Sequence, residues 1–500
     1  MKNSYMFLSL MCISLAGAEE APLLENYTMN HKISYEKVSI SDKEDMGLVG
    51  LGVLFDFNEY WYGGVGLYGA VDGKRGGFFT IGAESGFQFP IAENFQLKSG
   101  LFLGAGGGGS APQGGGLMLR PYIEGDYCSK DFVFGVGVGH ISFPNGDIES
   151  TQLYVSVEVP TNGDYLQGHY FSNSILSGLG SDLLSTKEVE ASFLVEHYLP
   201  SSGSLNTDGN AKTESFTLAG VEFDSFKNEH MYTFVQMAGA GGGQADGYME
   251  VLGGLGYRYQ LGTLPFYFDV QGALGASGGG KVDTGGGLVY KVQAGLDTKL
   301  TDHLTLGIKG GIIDAFNGTF KAAAYSATIG YETTIMDHMP SNGNGYSVQP
   351  NAWTFRMIHK SHLDSNNLFK DAEKNRQIDL LGFAIDRYLD EHYYLTGQSF
   401  WAYNGDAGGY AEGIVGVGYH SDPYGKFSLY TEALGGVGGG GGINIGGGFF
   451  ASLGGGVIYN LDRNWEGHLG GTYVRSKNGT FSTYDIVFGV GYKFSLLEKK

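Results

Sequence analysis

The sequence predicts an all-β protein, an antiparallel up-and-down barrel made of three tandem eight-stranded units. Three observations predict it: short alternating strands, an internal repeat, and an aromatic, glycine-rich composition with 87 Gly, 33 Tyr and 32 Phe against 11 Pro. Without a Gly-X-Y period such glycine content is not collagen, and aromatic chains of short even strands fit antiparallel barrels.

The alternation is clearest from Phe132 to Val159. Phe132, Phe134, Val136 and Val138 share one parity, while Val133, Gly135, Gly137 and Gly139 hold the other. Leu153, Val155, Val157 and Val159 repeat the apolar face on the far side of Asn145-Gly146, the dipeptide that favours a two-residue hairpin turn. An apolar outside with a small or polar inside is what a membrane barrel needs. His140 and Ser142 continue the apolar face of the first run, and Glu149 lies on that of the second.

Four anchors recur in the same order. Gly52 to Asp56 reappears as Gly220 to Asp224 and Gly382 to Asp386, and the turn Asn58 to Tyr62 as Asn228 to Tyr232 and Asp390 to Tyr394. Gly triplets follow at 114–116, 285–287 and 446–448, then Asn-Gly at 145–146, 317–318 and 478–479. A fixed order at a fixed period is the mark of a repeat. In the first unit strands are expected near 30–39, 47–57, 60–71, 77–89, 94–106, 115–126, 131–142 and 148–159, the strand number of the smallest membrane barrels. Inward glycines would let so narrow a ring close around its few bulky side chains.

The expected organisation is a signal peptide at 1–18, barrel units at 19–160, 188–332 and 350–500, and polar linkers at 161–187 and 333–349. The alternatives are one merged barrel of about 24 strands and a set of soluble or extracellular β-units. Lys2, the apolar stretch Met6 to Ala16 and Ala16-Gly17-Ala18 form the secretory signal. Its removal would leave Cys128 as the sole cysteine, with no intrachain disulfide. No later stretch approaches 18 unbroken apolar residues, so a helical span is not expected. A formal charge of −21 repels nucleic acid and suits polar loops on a surface protein. The expected location is the cell outer membrane, with outer-membrane lipid as the partner.

The hairpin carries the candidate chemistry. His140-Ile141-Ser142, then Asn145-Gly146-Asp147-Ile148-Glu149, resembles the active-site end of the lipid A 3-O-deacylases, eight-stranded outer-membrane barrels that cut an acyl ester from lipopolysaccharide. The resemblance implies Ser142 as nucleophile, His140 as general base and Glu149 as the group orienting the histidine. That is triad logic: a hydroxyl attacks once a neighbouring base takes its proton. With both termini periplasmic, this hairpin would lie at the cell surface beside lipid A. The corresponding positions of the other units are Ile312, Asp314 and Lys321, then Tyr473, Arg475 and Ser482, neither set fit for the reaction. No cofactor or metal is expected: Gly275 to Lys281 matches two glycine motifs in letter but opens no helix, and His230 and His392 lack a second clustered ligand. The competing functions are a surface ester hydrolase, a non-catalytic structural or adhesive protein, and, with a merged barrel, a pore.

Overall fold

The computed structural model describes residues 24–41, 44–171, 185–337, 348–363, 368–371 and 377–499; the expected signal peptide lies outside them. Among the described residues all twenty-four elements are β-strands, and no helix is long and apolar enough to cross a membrane. The first eight are β1 (Leu24–Ser41), β2 (Glu44–Asp56), β3 (Trp61–Asp72), β4 (Phe79–Ala92), β5 (Phe95–Gly107), β6 (Leu117–Cys128), β7 (Val133–Ser142) and β8 (Glu149–Gln167). The next eight are β9 (Ser185–Pro200), β10 (Phe216–Phe226), β11 (Met231–Gly242), β12 (Met249–Gln260), β13 (Phe266–Gly278), β14 (Leu288–Lys299), β15 (Leu304–Ala315) and β16 (Lys321–Asp337). The last eight are β17 (Val348–His362), β18 (Ile378–Tyr388), β19 (Tyr393–Asn404), β20 (Ala411–His420), β21 (Phe427–Gly439), β22 (Phe449–Asn460), β23 (Trp465–Ser476) and β24 (Ser482–Lys499).

Within each set, neighbours in sequence pair antiparallel. In the first set β8 also returns to β1, from Leu24 opposite Leu166 to Glu36 opposite Tyr154, so eight strands form a ring. In the second, β16 pairs with β9 from Ala322 opposite Pro200 to Asp337 opposite Ser185. In the third, β24 pairs with β17 from Val348 opposite Lys499 to His362 opposite Asp485. Between sets the pairing is brief: Asp337 with Gly163, Ile335 with Glu498, and Phe494 and Ser495 with Gln167 and Leu166. These contacts explain why the end strands outrun the expected limits. Residues 161–167 and 333–337, which read as linker, continue β8 and β16, because their backbone groups find partners in β1, β9 and each other.

Parity sorts the side chains. In β1, Lys32, Ser34, Glu36 and Val38 point inward and are buried, while Ile33 and Tyr35 are exposed outward. In β8, Tyr154, Ser156 and Glu158 are buried, while Leu153, at 72% exposed, Val155, Val157 and Val159 face out. Each inward glycine makes room for a neighbour: a side chain at Gly137 would strike the Tyr154 ring, and one at Gly100 the rings of Tyr62 and Tyr122.

The glycine triplets meet backbone. The first glycine of each presses on the Asn-Gly turn of its own set: Gly114 on Asn145, Gly285 on Asn317, Gly446 on Asn478 and Gly479. The third, at φ near +100°, leaves no space for a Cβ against the carbonyl of another set: Gly116 against Ala402, Gly287 against Ala70, Gly448 against Ala240. First set to third, second to first, third to second is a cycle. Gly76 N–H donates to Gly285 O at 3.0 Å and Gln113 Nε2 to Gly408 O at 3.0 Å, while Lys370 reaches Asp246 at 2.9 Å. Beside these contacts Leu67, Phe79, Val251, Ala276, Phe383 and Trp401, drawn from all three sets, share one buried apolar cluster.

Candidate functional site

The residues read as a triad lie where β7 meets β8. Asn145-Gly146 is not a two-residue turn here. The strands stop at Ser142 and resume at Glu149, opposite each other, with Phe143 to Ile148 as a loop. Phe143 and Ile148 turn inward to join a buried cluster with Phe78, Ala111 and Ile141, which pulls the chain off the ladder. His140, Ser142 and Glu149 share the outward face as expected. Their bonds are not those of a triad. His140 Nδ1 meets Thr151 Oγ1 at 2.8 Å, and its Nε2 is 3.8 Å from Glu149 Oε1, too far for a hydrogen bond. Among the described residues no hydrogen bond joins Ser142 to His140.

Oxyanion stabilisation needs N–H groups aimed at a developing charge. In this loop three are committed: Phe143 N–H to Ile148 O at 3.0 Å, Gly146 N–H to Phe143 O at 2.9 Å, Asp147 N–H to Pro112 O at 2.8 Å. Pro144 has none to give.

A second His-x-Ser, missed in the sequence although its spacing is visible there, stands on the outward face of β17. Here His359 Nε2 is 2.9 Å from Ser361 Oγ, and the serine donates to Asp379 Oδ1 at 2.6 Å. Tyr403 Oη closes on Nδ1 at 3.0 Å, and Asn404 donates to Asp379 Oδ2 at 2.7 Å. The serine proton is thus held by a carboxylate and the histidine bonds tyrosine at its far nitrogen, a polar relay satisfied within itself.

The lumens hold the densest chemistry, and sequence gave little sign of it beyond charges on inward parity. In the first ring Lys32 Nζ lies 2.7 Å from Glu124 and 3.5 Å from Glu158; Lys98 lies 2.7 Å from Glu158 and 3.2 Å from Asp126. Arg120 pairs with Glu36 at 2.8 Å, and Tyr62 meets Tyr122 at 2.6 Å. In the second set Lys291 bridges Glu196 at 2.9 Å and Glu250 at 3.1 Å. In the third Arg356 joins Asp386 at 2.7 Å to Glu432 at 2.8 Å. Arg120, Tyr62 and Tyr154 are among the largest fully buried side chains, so these interiors are filled. A cavity of about 20 Å³ inside the second set has room for one water molecule.

The class this architecture defines is an all-antiparallel β protein with polar, ion-paired interiors and an apolar outer face. No family model matches the chain, and no curated protein matches it. Among solved structures it is similar to a ferric enterobactin receptor of Pseudomonas aeruginosa, at 8% identity over 96% of this chain and 82% of that one, TM-score 0.28. It is also similar to OccK8 (OprE) of Pseudomonas aeruginosa, at 10% identity over 94% and 98%, TM-score 0.22, and to the copper transporter OprC, at 10% over 95% and 81%, TM-score 0.27. At these values the likeness carries no weight for fold or function, and none of these neighbours is a lipid A deacylase.

Proposed function

We propose that the chain is an integral outer-membrane protein in which three closed eight-stranded barrels, carried on one polypeptide, pack around a common axis as a non-conducting surface scaffold. The observation that carries this reading is the return ladder of each set, β1 with β8, β9 with β16, β17 with β24. A merged barrel of about 24 strands needs those same edges for β8 with β9, β16 with β17 and β24 with β1. Along most of their length the edges are already taken. A closed ring also satisfies every backbone group, the condition for strands to cross lipid.

Support for the membrane comes from the outer face. Val136, Val138, Leu153, Leu255, Leu274, Ile308, Leu429 and Leu469 are exposed across all three sets, an apolar outer face of the kind a membrane barrel turns to lipid. Phe57, Trp61, Phe89, Phe95 and Tyr127 crowd the short-turn end of the first ring, as an interfacial aromatic girdle would. On this reading the partners are outer-membrane lipids, lipopolysaccharide among them. The ion-paired lumens disfavour a pore, since a path would have to break buried salt bridges.

Planar-bilayer recording tests the proposal. Reconstituted chain should insert without discrete conductance steps, whereas large stable steps would contradict a plugged scaffold. The ester-hydrolase reading keeps one observation in its favour, that His140, Ser142 and Glu149 share one outward face beside one loop. Mass spectrometry of lipid A from cells expressing the chain or its Ser142→Ala form decides it. Loss of an acyl chain only with the serine present would restore the triad; identical lipid A in both leaves the scaffold.

A further inference from the structure

The second set contains a concentration of charge that its own residues do not balance. Glu190, Glu222, Asp224, Asp269 and Asp297 line the cavity described above, near the end that carries the short turns. Lys309 serves Asp269 at 3.0 Å and Glu222 at 3.8 Å, and Arg258, also on the wall, is bound to Glu188 at 2.5 Å and Glu332 at 2.9 Å. Glu190 takes hydroxyl bonds from Ser192 at 3.1 Å and Thr305 at 2.5 Å, and Gln271 donates to Glu222 at 2.8 Å. Asp224 stands apart. It is 8% exposed, its Oδ1 has no hydrogen-bond partner among the described residues, and Asp297 Oδ1 shares that condition. Buried carboxylates without partners are costly, and either a proton or positive charge from outside relieves them.

The geometry points to a binding site for the head of a small protonated amine, held by Asp224 and Asp297 inside the second set. Three features select that chemistry. The cavity is about the size of one water molecule, and an ammonium head is close to that size. Tyr232 lines the same wall, and aromatic faces favour ammonium groups. Among the described residues no three His, Cys, Asp or Glu side chains are arranged to hold a metal ion, whereas an ammonium needs only hydrogen-bond acceptors. The body of the amine would remain toward the turns. The proposal is independent of the scaffold function.

The test uses full-length chain in detergent micelles at neutral pH. Methylammonium chloride is titrated against sodium chloride at equal ionic strength, and the thermal unfolding midpoint is read. The site predicts a saturable rise with methylammonium, little with sodium, and loss of the difference in Asp224→Asn. Equal response to both salts, or an unchanged response in Asp224→Asn, overturns it. So does stabilisation by mild acid with none by the amine, since a proton then fills the gap. Should Asp224→Asn fail to fold, NMR line broadening of carbon-13 methylammonium by the wild-type chain decides: broadening reversed by excess ammonium but not by sodium upholds the site, and sharp lines throughout refute it.

Discussion

Lys32 sits inside the first ring with less than a tenth of its side chain exposed, between Glu124 and Glu158. Its ammonium offsets two carboxylates that the protein interior would otherwise leave bare, and Tyr154 donates to the same Glu124 at 2.7 Å. Removing one member of a buried pair costs about 3–5 kcal/mol, most of it the stranded partner. Lys32→Met is therefore expected to lower unfolding stability in denaturant titration by about that much. Adding Glu124→Gln should recover part of the loss; a double variant worse than the single would show the pair to be unimportant. Gly137 makes the complementary point about space. A side chain there meets the Tyr154 ring from one side and the Ile123 carbonyl from the other, so Gly137→Val should cost about 1–3 kcal/mol by overpacking. The same titration checks it, with the outward Val136→Ala expected to shift the midpoint far less.

Among the elements, the short turns show how the repeat is locked. Asn58 Oδ1 accepts the N–H groups of Tyr60 and Trp61, Asn228 those of His230 and Met231, and Asp390 those of His392 and Tyr393. The N–H groups of Tyr393 and then His392 hold the Asp390 carboxyl below its usual value. A depressed folded value means the contribution is complete above the unfolded pKa and fades as pH falls through the folded one. Protection of the Tyr393 amide from hydrogen exchange, relative to an unstructured peptide at the same pH, should therefore fall in strong acid in the wild type. Asp390→Asn, which copies Asn58 and Asn228, should abolish that acid dependence, and Asp390→Ala should exchange faster at every pH.

Strands, their parity and these turns were legible because alternation and Asn or Asp at a turn are local signals. The closing of the hairpin loop was not, because it depends on Phe143 and Ile148 meeting Phe78 from the connection between β3 and β4. The strand extensions at 161–167 and 333–337 were hidden for the same reason: their partners are distant, and Thr161 to Asp164 and Thr333-Thr334 read as polar connector. Glycine triplets were visible as repeats, but what they touch, a carbonyl in another set, is written nowhere near them.

For the whole molecule, the cycle of Gly116, Gly287 and Gly448 implies that the sets hold together without their connectors. A protease site inserted between residues 172 and 184 should be cut while the fragments still comigrate under native conditions; separation on cleavage would contradict the shared cluster of Leu67, Val251 and Phe383. The central claim is that each set closes on itself. Cysteine pairs placed across the return ladders, Ile33→Cys with Val157→Cys, Phe193→Cys with Ile329→Cys, and Phe355→Cys with Tyr492→Cys, test it directly in a Cys128→Ser background. Three closed rings predict an oxidised cross-link for every pair. No cross-link at these positions, together with one between Ile33→Cys and Tyr492→Cys, would mean that β1 pairs with β24 and that a single large barrel replaces the three.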